Sequence, residues 1–227
     1  MCGRKTLIKS KESIVQELML NEWSIKNYKP SYNIAPTHYS PVLLGNNERR
    51  IAKLMKWGLI PSWSKSDSFA SKMINARSET IIEKYSYKNL ISQNRCIIIS
   101  NGYYEWKNNK PYYFYHQNNN LLLLAGLWTS WKKSSKEIKT YTIITTTAHS
   151  NIKHIHSRMP LIIDTPNIDQ WLNQNDKKFK LNHYLESHHN QENIDYIHVT
   201  SYVNQINNNS KKCLIPSKEE KTIELFK

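Results

Sequence analysis

Six short apolar runs, Pro41–Gly45, Ile51–Trp57, Arg95–Asn101, Tyr112–His116, Leu121–Thr129 and Ile138–Thr146, set the fold class of this chain. Each is rich in β-branched, aromatic or leucine residues and is bounded by Gly, Asn or Lys turns, the pattern of strands in a largely antiparallel sheet. Helical periodicity is confined to short stretches. Ser10 to Asn21 reads as a helix capped by Ser10, with Ile14, Leu18 and Met19 on one face, and further helices are expected at Thr80–Ser92, Asn167–Gln174 and Lys178–Ser187. Pro30, Pro36 and Pro41 break the intervening chain into loop, and the Asn- and Lys-rich stretches 107–110, 117–120 and 207–212 read as solvated turns. Strands do not alternate with helices, and the 5 glycines form no G-x-G-x-x-G or phosphate loop, so an NTP-dependent mechanism has no support. The expected class is α+β: a β-rich, largely antiparallel core with peripheral helices.

At 227 residues and 39% apolar, the chain is long enough for one sizeable core, and one domain is expected. Lys and Arg number 32 against 18 Asp and Glu, a net charge of +14, which points to a polyanionic partner: nucleic acid first, an acidic membrane surface second. Three cysteines, Cys2, Cys96 and Cys213, form neither a disulfide framework nor a CxxC pair, which suits a reducing, cytoplasmic setting. The polar, basic first residues are followed by no apolar signal segment, and no run approaches the roughly 18 apolar residues of a membrane helix. A soluble, unexported protein is expected.

Cys2 is the reactive residue of greatest interest. Removal of Met1 leaves an α-amine and a thiol on one residue, with reference pKa values of about 7.7–8.0 and 8.5, so both are expected to be partly nucleophilic near neutral pH. Such an aminothiol condenses with an aldehyde, the amine forming a Schiff base and the thiolate closing a thiazolidine ring.

Four other stretches carry reactive or rigid residues. In INARSET (74–80), Asn75 and Arg77 alternate on an extended strand end, an amide beside a phosphate-pairing fork; the plainer reading is a strand-to-helix turn capped by Ser78. In NGYYEW (101–106), Glu105 lies between Tyr104 and Trp106, an aromatic setting that raises a carboxyl pKa and suits a general acid/base; the alternative is an exposed hairpin glutamate. In HIHSRMP (154–160), His154, His156 and Arg158 share parity and Pro160 ends a turn. The spacing of His149, His154 and His156 matches no common zinc site, so a proton-transfer imidazole is the better reading and neither metal nor cofactor is expected. In MKWGLIPSW (55–63), Trp57 reads as a core indole and Trp63 as an exposed one able to stack on bases of single-stranded nucleic acid.

Taken in order, MCGR, YNIAPT, WGLIPSW, INARSET, NGYYEW, AGLW, TTTA, IHSRMP and SYVN, from Met1 to about Pro216, resemble the SRAP family of SOS-response-associated proteins that sense abasic sites in DNA. The resemblance implies one barrel-like domain over residues 1–216, with 217–227 as a loose tail, and a monomer. It implies that Cys2, once Met1 is removed, couples covalently to the ring-opened sugar of an abasic site in single-stranded DNA, with Asn75, Glu105 and His156 as its partners. By the same match Arg4, Trp63, Arg77 and Arg158 hold phosphates and flanking bases. Ser157 stands where members commonly have Asp, and Ser64 where some place a second tryptophan, departures that bear on DNA affinity. The imine implies a weak lyase activity, removal of Met1 is a candidate for autoproteolysis, and replication-fork proteins are candidate partners in the nucleoid. Two other classes stay open: an N-terminal-nucleophile cysteine amidohydrolase, which needs no basic face, and a non-enzymatic single-strand binding module, which would keep binding after Cys2→Ala.

Overall fold

The structure is a computed structural model and describes residues 2–45, 48–133, 135–174, 176, 179–187 and 193–218. Among these the strands are β1 (Arg4–Leu7), β2 (Glu22–Trp23), β3 (Ser31–Ile34), β4 (Tyr39–Gly45), β5 (Arg50–Trp57), β6 (Asn75–Arg77), β7 (Arg95–Ser100), β8 (Gly102–Lys107), β9 (Lys110–His116), β10 (Leu122–Lys133), β11 (Lys136–Thr147), β12 (Arg158–Pro160) and β13 (Ile194–His198). The helices are short: α1 (Lys11–Glu17), α2 (Leu90–Gln93), α3 (Ile168–Leu172) and α4 (Leu181–Ser187).

Five strands close on themselves. The path β11-β10-β7-β4-β5 is antiparallel throughout, and β5 returns to β11 by a parallel pairing at Thr140↔Lys56 and Tyr141↔Trp57. Closure removes the exposed strand edges that an open sheet would carry. Trp57 stacks on Tyr141 inside this barrel, centroids 6.2 Å apart, and its indole N–H donates to Ile74 O at 3.0 Å. All six residues of β7 are buried, including Arg95, whose guanidinium donates to the carbonyls of Ile91, Trp171 and Asn173. The Arg95 guanidinium also lies 3.9 Å from the Phe179 ring centroid, so this buried cation pins α2 and the end of α3 to the barrel.

A second sheet, in the order β13-β9-β8-β1-β3, brings the amino terminus to the site. In its register Lys5 faces Tyr103, and Tyr103 in turn faces Phe114. Side chains alternate along a strand, so Lys5, Tyr103 and Glu105 share one face and Arg4, Tyr104 and Trp106 the other. The second face has its own small core around Tyr104, Tyr113, Val203 and Cys213.

The six expected strands form, within a residue or a few of the expected ends. Expectations differ from the structure where context overrides local pattern. The first helix stops at Glu17, because Met19 takes a left-handed conformation (φ 48°) and is exposed rather than packed beside Ile14 and Leu18. Thr80–Ser92 forms successive turns and only the short α2: its backbone hydrogen bonds close separate turns on the carbonyls of Thr80, Lys84 and Tyr87 rather than one continuous i→i−4 ladder. Tyr32 to Ile34 is strand rather than loop, and Pro160 lies in β12, where an edge position tolerates the missing N–H. β13 had no sequence expectation.

The turn at 107–110 is a two-residue hairpin with Asn108 and Asn109 both at positive φ (51° and 63°), the conformation that asparagine tolerates best after glycine. The stretch 207–212 is more than a solvated turn: Asn209 Oδ1 accepts Tyr32 N–H at 2.7 Å, and Asn208 O accepts from Asn33 Nδ2 at 2.7 Å. Residue 178 of the fourth expected helix and residues 219–227 of the expected tail lie outside the described residues. Ser217 is tied down, its N–H donating to His198 O at 2.9 Å.

Candidate active site at the amino terminus

Three separate segments converge on Cys2. Asn75, at the start of β6, donates from Nδ2 to Cys2 O at 2.8 Å, while its Oδ1 is buried with no hydrogen-bond partner among the described residues. Glu105 on β8 is 3% exposed, and His156 approaches it from the loop before β12, with Nδ1 3.9 Å from Glu105 Oε1. The parallel pairing of β6 with β11 at Ile143↔Asn75 and the antiparallel pairing of β12 with the same strand at Thr147↔Arg158 set the spacing between Asn75 and His156.

Burial pushes the Glu105 carboxyl up, opposed by the positive charge of the amino terminus and by His156. The expected setting for an acid/base group is present, but its source is withdrawal from water on the inner face rather than Tyr104 and Trp106, which project to the other side. His156 Nδ1 lies 3.0 Å from both the backbone N and the backbone O of Arg158, contacts that fix the orientation of the ring.

Cys2 departs from expectation. Its side chain is fully buried, and burial first, then the charge of Glu105, push the thiol far above its ordinary value; the Arg4 N–H, Lys5 and the amino terminus pull the other way. A free thiolate near neutral pH at the reference value, as the composition of an aminothiol suggests, is therefore overturned by desolvation. The thiol needs a local proton acceptor.

The remaining residues are dispersed around this centre. Arg77 is exposed, and among the described residues its guanidinium has no hydrogen-bond partner. Arg158 is committed within the protein, to Glu79 at 2.5 Å and to Thr145 O at 2.6 Å. Arg4 points to the outer face, donating to Asn33 Oδ1 (2.7 Å) and Val203 O (3.0 Å) and lying 5.8 Å from the Trp106 ring. Trp57 is a core indole, whereas Trp63 is 51% exposed and meets Phe69 and Tyr85 edge-on or tilted, at 5.8 and 6.0 Å. Gly58 makes that loop possible. Its φ is +113°, and a Cβ there would stand 1.9 Å from Ala70 O.

His154 and His156 do not share a face. Residues 151–155 form a tight turn, and His154 Nε2 reaches Tyr196 OH at 3.2 Å on β13. Ser64 is buried and ties its own loop, donating to Ser66 O at 2.7 Å. Sequence reasoning missed Glu79, Lys5 and Tyr103. Strand alternation from Glu105 was the available signal for Tyr103; for Lys5 there was none, since an N-terminal lysine reads as surface.

The sequence matches the SOS response associated peptidase (SRAP) family over residues 1–206. The chain belongs to that family. It is 32% identical over 221 residues to the abasic site processing protein YoqW of Bacillus subtilis (strain 168), covering 94% of this chain and 99% of that protein. It is also 32% identical over 226 residues to the abasic site processing protein HMCES of Gallus gallus, covering 83% and 67%. The fold is shared with a crystallographically solved protein from Bacteroides thetaiotaomicron, at a TM-score of 0.75 and 22% identity, over 95% of this chain and all of that one.

Proposed function

We propose that this protein captures abasic sites in single-stranded DNA, Cys2 forming a thiazolidine with the ring-opened sugar after Met1 is removed. The observation that carries the reading is the convergence of Asn75, Glu105 and His156 on Cys2 from three segments distant in sequence. The names of the relatives point to the same substrate class.

The α-amine of Cys2 attacks the aldehyde carbon and forms a carbinolamine, which loses water to give an imine. Glu105, held protonated to higher pH by burial, supplies the proton that leaves with the hydroxyl. Asn75, gripping Cys2 O, holds the amine in place. The Cys2 thiol then adds to the carbon of the protonated imine: the S–H bond breaks and its proton is released, the S–C bond forms, and the C=N electron pair passes to the nitrogen, which becomes a neutral ring amine. The imine also opens a route to β-elimination of the 3′ phosphate, with His156 beside the leaving group, so a weak lyase activity accompanies capture. The same acid/base pair acting on the first peptide bond would release Met1 autocatalytically. Arg77 and Trp63 offer a phosphate fork and a stacking face. Action as a monomer in the cytoplasm, on nucleoid DNA and beside replication-fork proteins, completes the proposal.

Intact mass before and after mixing with an abasic oligonucleotide reads Met1 loss and covalent capture together. Wild type should give a heat-stable adduct and Cys2→Ser only a labile, borohydride-trapped imine. Glu105→Gln should slow single-turnover capture by about 10²–10⁴-fold with intact-strand affinity unchanged. Equal heat-stable adduct from Cys2→Ser would remove the thiazolidine.

A further inference from the structure

Arg158 is a phosphate-pairing fork already filled by a carboxylate of its own chain. Its Nη1 and Nη2 groups donate to the two oxygens of Glu79 at 2.5 and 3.0 Å, the paired geometry in which a guanidinium also grips a phosphate, and Nη2 donates again to Thr145 O at 2.6 Å. Nε is buried with no hydrogen-bond partner among the described residues. The side chain of Arg158 is 15% exposed and that of Glu79 48%, so the carboxylate is the outer, more accessible member of the pair. An ion pair this open to water adds little net stability, and it exchanges easily.

Strand register places this pair on the face of the site. Thr145 of β11 faces Arg77 of β6, and Thr147, two residues on, faces Arg158 of β12. Paired residues project to one side of a sheet and alternate residues share it, so Asn75, Arg77, Thr145, Thr147 and Arg158 stand on one face. Asn75, on that face, holds Cys2 O. Arg77 and Arg158 therefore flank β11, their backbones about 10 Å apart across two strand spacings. A single strand of DNA lying across β11 would run its phosphates past both. One of the two guanidiniums, that of Arg77, is exposed, and the other is closed by Glu79, two residues beyond Arg77 in the chain.

We infer that Glu79 is a specificity-determining residue: it occupies the Arg158 fork as a resident substitute for a backbone phosphate and so weakens the non-covalent hold on intact single strands. A phosphate that enters this fork displaces the carboxylate, so one ion pair forms as another breaks, whereas a phosphate at Arg77 breaks none. Arg77 adds to affinity, and Arg158 adds nothing net while Glu79 is present. Selection by difference needs weak binding to the wrong partner. Intact strands leave, and only a strand that reacts at Cys2 stays. The inference rests on the reading of this face as one that holds single-stranded DNA, but the competition for Arg158 is also measured without DNA.

Fluorescence anisotropy with an intact single-stranded oligonucleotide at several salt concentrations tests it in wild type, Glu79→Gln, Glu83→Gln and the double variant Glu79→Gln/Arg158→Ala. Glu79→Gln should bind about fivefold more tightly at physiological salt, the scale of one exposed ion pair. Its slope of log K against log salt should steepen by about 0.7, because a further phosphate is neutralised. Glu83→Gln removes an exposed carboxylate four residues on, with the same change in net charge, and should leave the slope as it is. The double variant should return to the wild-type slope. Wild-type affinity and slope in Glu79→Gln, or a gain that survives in the double variant, overturns the inference. Inorganic phosphate gives the second readout: the NMR signal of the Arg158 Nε–H, assigned by its loss in Arg158→Ala, should shift at several-fold lower phosphate concentration in Glu79→Gln than in wild type. An equal response in the two proteins overturns the inference. Failure of all four proteins to bind the oligonucleotide, with the phosphate difference present, supports the competition and counts against the DNA reading alone.

Discussion

Lys5 and Glu105 stand on one face of the second sheet, and burial moves their titrations toward each other, the amine down and the carboxyl up. The consequences for stability have opposite signs. The Lys5 folded value of about 7 lies below an unfolded value of about 10.4, so between them the unfolded chain binds the extra proton and stability rises with pH; below pH 7 the full cost of the buried charge is present. Glu105 contributes stability that is complete below its unfolded value and lost as pH rises through the higher folded one. Lys5→Met should therefore be more stable than wild type at pH 6, with the gap narrowing toward pH 9 by about 1.4 kcal/mol per pH unit above 7. Urea denaturation at pH 6, 7.5 and 9 measures it, and a gap constant across that range would show that the lysine is not buried as a charge. Residue chemistry was half legible. The acidic group in NGYYEW and the imidazole in IHSRMP are visible as reactive types, but which way a side chain projects depends on the register of β8 with β1, and that decided both the neighbours of Glu105 and the burial of Cys2.

At the scale of elements, the site depends on how closely β8 approaches β9. Gly102 opens β8, and a Cβ there would lie 2.3 Å from Phe114 O and 2.5 Å from the Tyr113 ring, so only glycine lets the two backbones pair at this point. Gly102→Ala should cost about 1–3 kcal/mol or more, by the rule for overpacked interiors. It should also slow DNA capture more than Trp63→Ala does, because the shift is passed along β8 to Glu105. Thermal unfolding and single-turnover capture test the pair of effects; unchanged stability would mean the hairpin has slack. Long strands were legible because their apolar runs are long. β3, β12 and β13 were not, for they are short, contain or adjoin proline, or mix polar residues, and they are strands only because β1, β11 and β9 offer them ladders. The overestimate of helix at 80–92 has the same origin: tertiary contacts bury Ile81, Tyr87 and Ile91 from successive turns, with no continuous helix between them.

For the whole molecule, a charge of +14 predicts that binding of single-stranded DNA weakens steeply with salt, each phosphate neutralised adding about −0.7 to the slope of log K against log salt. Arg77→Ala should lower affinity and reduce that slope, since Arg77 is exposed with no hydrogen-bond partner among the described residues. Arg158→Ala should act mainly on the loop it holds through Glu79 and Thr145. Titration by fluorescence anisotropy at several salt concentrations separates them, and salt-independent binding would defeat the electrostatic reading. The sequence by itself determined the class of fold, the strand-forming runs, the basic character and the candidate reactive side chains, because alternation, turn chemistry and charge are local properties. Only the tertiary structure decided that five strands close into a barrel, that Arg158 is spent on Glu79, that His154 and His156 part company, and that Cys2 and Lys5 are both fully buried. Those outcomes depend on which distant strands pair and in which register, and burial, which sets every shifted titration in the site, is a property of the assembled chain.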